Sequence, residues 1–192
     1  MTPSPTLNGV HHVAYRCKNA KETVAFYERV LGMEFLLAIA ENQVPSTKAP
    51  DPYMHVFLDA GRNNVLAFFE IPNSPPMGRD ENTPQWVQHI AFQVETREAL
   101  LTALAKIKAE GLAVIGPTDH TLFESIYFFD PNGHRLELAW NKGTPDQYAE
   151  LKRVARDMLD EWDQTKKAPQ HAAWLHVTEL SHSPLRTDLV DG

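Results

Sequence analysis

The 192-residue chain has a single cysteine, Cys17, so no disulfide can form within it, and a lone thiol fits a reducing compartment. Cys17 closes an alternating apolar segment and reads as a buried strand residue rather than a nucleophile. Long apolar runs are missing: nothing approaches the roughly 20 residues that a membrane-spanning helix requires. The opening MTPSPTLNG lacks a basic cluster followed by an apolar stretch, so a secretory signal is not expected and a cytoplasmic location is. Dense Lys/Arg runs are absent too, and the formal net charge is -7, which argues against nucleic acid as a partner. The remainder, 43% hydrophobic and 22% charged, is the composition of a globular protein. The length suits one domain, or two small modules sharing a core.

Two halves of the chain follow one plan. GVHHVAYRC (9–17) alternates as a strand, with His12 and His11 on opposite faces. Asn19 is placed as an N-cap, and AKETVAFYERVLG forms a helix that stops at Gly32. Strands are predicted at 34–40, 53–59 and 64–71, with a polar loop over 41–52. Residues 72–85 carry four prolines and no periodicity, the pattern of a linker. The order then repeats: a strand at 86–94, a helix at 96–111, a short strand LAVIG, and two strands, ESIYFFD and HRLELAW, joined by the turn DPNG. His12 and His89 fall at matching places in the two first strands.

Beyond residue 143 the plan ends. PDQYAELKRVARDMLDEWDQTKK reads as one amphipathic helix with Tyr148, Leu151, Val154, Met158 and Trp162 on one stripe. An irregular tail follows, whose three histidines (His171, His176, His182) lack the close spacing of a metal site. The chain therefore divides into 1–143, holding modules 8–71 and 86–141, and 144–192, holding the last helix and tail.

Glu137 sits in the apolar setting LELAW and points inward if Leu136 and Leu138 face the other way. A buried carboxylate is costly unless it is paired or holds a metal. Two imidazoles and a carboxylate around an open position suit Fe(II), Mn(II) and similar ions. Each residue alone also has a plain structural reading; the recurrence of the histidine turns the balance toward a site. Glu70, at the end of LAFFE, stands in the first module where Glu137 stands in the second, and reads as a fourth ligand, a general base or a solvated strand-end carboxylate.

VHHVAYRCKNAKETVAFYERVLGMEF, VQHIAFQV and IYFFDPNGHRLEL together resemble the vicinal oxygen chelate superfamily of glyoxalase I, extradiol dioxygenases, methylmalonyl-CoA epimerase and the fosfomycin and bleomycin resistance proteins, over about residues 8–141. The resemblance implies an α+β fold of two βαβββ modules forming a half-barrel around one divalent metal. It places His12, rather than His11, with His89 and Glu137 as ligands. It implies Fe(II) first, with Mn, Ni, Zn or Co as alternatives, and a small aromatic or enediol-forming molecule as substrate. A homodimer is also implied, since the family often pairs modules between chains.

TDHTLFESIYFFDPNGHRLE resembles more narrowly the extradiol dioxygenase signature. By that resemblance His120 is a hydrogen-bond donor near bound oxygen and Tyr127 holds a substrate oxygen. The further acid-base histidine of those enzymes has no counterpart on the fourth strand, where Phe68, Phe69 and Glu70 stand; His55 lies one strand earlier. The first functional reading is thus an extradiol-type dioxygenase. The second is a glyoxalase-like lyase or isomerase passing through an enediolate, with Glu70 in its four-ligand set. The third is a non-catalytic binding protein.

Overall fold

The computed structural model describes residues 7–171, and the tail histidines His176 and His182 lie outside them. The first module runs β1 (Val13–Cys17), α1 (Ala20–Leu31), β2 (Phe35–Glu41), β3 (Tyr53–Asp59) and β4 (Val65–Glu70). The second runs β5 (Ile90–Val94), α2 (Arg97–Ala109), β6 (Ile115–Asp119), β7 (Phe123–Phe129) and β8 (Arg135–Asn141), and α3 (Pro145–Thr165) follows. Each module folds as a four-stranded sheet, in the orders β1-β4-β3-β2 and β5-β8-β7-β6, with β1–β4 and β5–β8 parallel and the other pairs antiparallel. The two βαβββ modules and the C-terminal helix agree with the expected architecture; the sheets are open, not a closed barrel.

Local chemistry sets the helices. The Asn19 side chain accepts from Glu22 N at 2.9 Å to start α1, and Gly32, at φ 69°, takes the left-handed conformation that ends it. Thr144 opens α3 with a capping box closed by Gln147. The strands differ from the expected ones at their first residues: β1 begins at Val13 and β5 at Ile90, so His12 and His89 stand one residue ahead of the ladders. The apolar run LAVIG is not the sixth strand, which starts only at Ile115. Leu112 and Val114 instead pack against the core as the connection from α2.

Each sheet buries one face against its helix. Phe26, Tyr27 and Val30 of α1 meet Val56, Leu58, Leu66 and Phe68, while Leu100 and Ile107 of α2 meet Ile126, Phe128, Leu136 and Leu138. Burial of these side chains is the main stabilising term. Cys17 belongs to this layer, 2% exposed, and burial pushes its thiol up to about 11, in keeping with a packing role.

The opposite faces are far less covered. Leu37 and Ile39 of β2, paired with Phe57 and His55, and Ile115 of β6, paired with Tyr127, are exposed apolar residues on them. The DPNG turn fastens the modules together. Asn132 Oδ1 accepts from Lys18 N at 2.8 Å, its Nδ2 donates to Thr23 Oγ1 at 3.1 Å, and Asp130 Oδ2 accepts from the Tyr27 hydroxyl at 3.1 Å.

Candidate metal centre

Glu137 is the centre of the arrangement. Its partners in register are Tyr127 on β7 and Ala91 on β5, which places Glu137, Tyr127 and Ser125 on the face turned away from α2. Glu137 is 3% exposed. Its Oε1 accepts from Ser125 Oγ at 2.5 Å and from the Tyr127 hydroxyl at 3.2 Å, and its Oε2 lies 3.0 Å from His89 Nε2. His120 Nε2 sits 2.8 Å from the Tyr127 oxygen. Since the Tyr127 proton goes to Glu137, His120 is the donor of this pair, and the order of donation runs His120 to Tyr127 to Glu137. Burial first, and then the charge of Glu137, raise the Tyr127 phenol above its ordinary value, so it stays a hydrogen-bond donor at neutral pH.

These groups fit a cation. His89 Nδ1 lies 3.0 Å from the carbonyl of Val87 and donates to it, which turns Nε2 toward Glu137. Two acceptors 3.0 Å apart need a positive charge between them, either a proton or a metal. The carboxylate is further held by two donors, as liganding carboxylates commonly are.

His12 is elsewhere. Its ring contacts are His11, with the two Nδ1 atoms 2.7 Å apart, His55 at 5.9 Å between centroids and Phe57 at 5.8 Å. Among the described residues no group of three or more His, Cys, Asp or Glu side chains can hold a metal ion, so His12 does not join His89 and Glu137 within one chain. The expected separation of His11 and His12 to opposite sides also fails, because residue 12 precedes the ladder and strand alternation does not reach it.

Glu70 does not take the place in the first module that Glu137 takes in the second. Ala91 pairs with Glu137, two residues after His89; the equivalent residue two after His12 is Ala14, and it pairs with Ala67. Ala67, not Glu70, is therefore the counterpart of Glu137. Glu70 pairs with Cys17 and Met54 on the helix-side face, and its Oε2 accepts from Ala20 N at 2.6 Å, at the start of α1. It anchors the positive end of that helix.

Ser125 and Arg135 are functional candidates that the sequence reading passed over. Both lie on the face of Tyr127 and Glu137, and counting by twos from Tyr127 and Glu137 would have found them. His55 is a third. It is 8% exposed, stacks on Phe69 at 3.6 Å, and has a buried Nε2 without a hydrogen-bond partner. Burial, and then the neighbouring His12, hold it below the usual histidine value.

A sequence profile of the Glyoxalase/Bleomycin resistance protein/Dioxygenase superfamily matches residues 9–138. The chain belongs to this superfamily. A metallothiol transferase, FosB, from Shouchella clausii is 29% identical over 84% of this chain and 99% of its own length. A putative ring-cleaving dioxygenase, MhqA, from Bacillus subtilis is 26% identical over 69% of this chain, and the match spans only 40% of that protein. Among solved structures, a fosfomycin resistance protein, FosX, from Listeria monocytogenes, crystallised with Mn(II), is 22% identical, covers 75% of this chain and 99% of its own, and gives a TM-score of 0.50. Relatives in the superfamily are thus enzymes of several kinds, and a divalent metal is found among them.

Proposed function

We propose that this protein is a metal-dependent, extradiol-type ring-cleaving dioxygenase that works as a homodimer on a small catechol-like substrate. The observation that carries the reading is the convergence of His89, Tyr127 and, through Tyr127, His120 on the single buried carboxylate of Glu137. His89 and Glu137 supply two ligands, and His12 of a second copy supplies the third. Support for the second copy comes from the exposed apolar residues on the open sheet faces, which a partner module would cover, and from the lack of a third ligand among the described residues of the chain. Two imidazoles and one carboxylate favour Fe(II), with Mn, Ni, Zn or Co fitting the same donors.

A bound divalent cation supplies Lewis acidity toward the two adjacent hydroxyls of the diol and, as Fe(II), the means of engaging dioxygen. The chain's own groups do the rest. Tyr127 redirects its hydrogen bond from Glu137 to a substrate oxygen, and His120 behind it holds the phenol in place by donating to its oxygen. Ser125 keeps Glu137 oriented throughout.

The enediolate lyase reading loses its support with Glu70, because the four-ligand set it needs has Ala67 at the fourth position. A group-transfer reading ranks second and is favoured by the match to FosB over nearly that protein's full length. The deciding experiment is oxygen uptake by anaerobically Fe(II)-loaded protein offered a panel of catechols. One dioxygen consumed per diol, with a yellow ring-opened product, is expected. Loaded protein that consumes no oxygen with any of them would exclude ring cleavage.

A further inference from the structure

We infer that the substrate carries an acidic oxyanion group, a carboxylate or phosphonate, that docks beside the metal centre on Arg135, Arg79 and Lys18. This deepens the function proposed above and rests on that reading for the identity of the reacting end. A cleft of about 860 Å³ opens between the linker after β4 and the turn joining β7 to β8, and His89 is in its wall. The same wall holds the three cations Lys18, Arg79 and Arg135 against one carboxylate, Asp80. That is a local excess of two positive charges in a chain whose formal net charge is -7.

The cations are also unspent. Arg135 forms no ion pair among the described residues; its guanidinium lies 4.3 Å above the Tyr127 ring, and its Nε is buried without a hydrogen-bond partner. A guanidinium Nε stripped of water and given no acceptor costs free energy that a planar oxyanion recovers through paired hydrogen bonds. Among the described residues Arg79 donates only to the carbonyl of Thr83, and Lys18 Nζ only to that of Pro131, both neutral acceptors. Asp80 accepts from the Thr83 hydroxyl and from Asn82 N, and Arg79 acts on it only through its charge, with no ion-pair contact among the described residues. Arg135 shares the face of Glu137 two residues earlier on β8, so an oxyanion on it lies within one small aromatic ring of the ligand pair. Cations so placed select and orient an anionic substrate and speed its capture at low salt.

The test uses non-chelating probes, so that it does not depend on the metal reaction. Benzoate, phenylphosphonate and the neutral isostere benzamide are titrated against the metal-free full chain, followed by NMR shifts. Benzoate or phenylphosphonate should bind about tenfold tighter than benzamide, and Arg135→Met should lose about that factor for the anion alone. Arg79→Met should weaken the anion similarly, and raising salt should weaken it in the wild type. Arg153→Met, a cation on α3 paired with Glu150, should change nothing. Benzamide binding as well as the anions, or Arg135→Met and Arg79→Met both binding them like the wild type, overturns the inference. Anion selectivity in a chain that fails to consume oxygen with any catechol leaves this subsite standing and removes only the ring-cleavage reading.

Discussion

His89 Nε2 and Glu137 Oε2 face each other at 3.0 Å, one from just ahead of β5 and the other from the middle of β8. Two donors are a minimal half of a metal site, and the third proposed ligand, His12, stands on the other module. If the site forms between copies, His12→Ala and His89→Ala should each bind no stoichiometric metal alone. Mixed and allowed to exchange subunits, the two variants form heterodimers with one intact and one doubly damaged site. Metal content by mass spectrometry should then rise in proportion to the heterodimer, to about one ion per two chains within it. No recovery after verified exchange would place all three ligands in one chain and refute the shared site.

Tyr127→Phe separates orientation from ligation. The phenol donates to Glu137 and accepts from His120, but it is not assigned as a ligand. Metal stoichiometry should therefore be unchanged while turnover falls by roughly 10²-fold, the usual scale for one positioned proton-transfer group. His120→Gln should lower turnover less, because the amide still donates a hydrogen bond to the phenol. Full turnover in Tyr127→Phe would remove the hydroxyl from the mechanism.

Glu70→Gln should retain a full metal equivalent, because Glu70 faces α1 and accepts from Ala20 N at 2.6 Å. Its loss should appear as stability instead, about 0.5–1 kcal/mol from weakening a charged contact at a helix N-terminus. Chemical denaturation reads the second effect and metal analysis the first. Metal loss in a variant that remains folded would return Glu70 to the ligand set.

Much of this was legible in the amino-acid order, for identifiable reasons. Helix caps at Asn19 and Gly32, the DPNG turn and the doubled strand–helix–strand cadence are local signals, and the structure reproduces the elements they mark. The inward direction of Glu137 followed from the leucines flanking it, and its 3% exposure agrees. Glu70 was misread because strand ends were aligned in place of ladder partners, and register is a property of pairing that the chain order does not carry. The first residues of β1 and β5 were misplaced because apolar alternation runs past the hydrogen-bonded ladder. The separation of His12 from His89 was invisible for a different reason: periodicity says which face a residue takes, not how two modules lie against each other.

The link between the modules has its own consequence. Asn132 is 7% exposed and joins Lys18 N and Thr23 Oγ1 of the first module to Asp130 of its own turn. Asn132→Ala strands the Lys18 backbone N–H and takes one of two donors from Asp130 Oδ2, so the cost should exceed that of an ordinary lost hydrogen bond, about 2–3 kcal/mol. Tyr27→Phe removes one donor from Asp130 Oδ2, which keeps the Asn132 amide at 2.9 Å, and should cost nearer 1 kcal/mol. Because both residues act across the same turn, the double variant should fall short of the sum of the single ones. Urea denaturation of the four proteins closes this cycle. Additivity within about 0.3 kcal/mol would mean that the two contacts do not work as one clasp, and the turn would then be a connection between modules rather than what holds them in place.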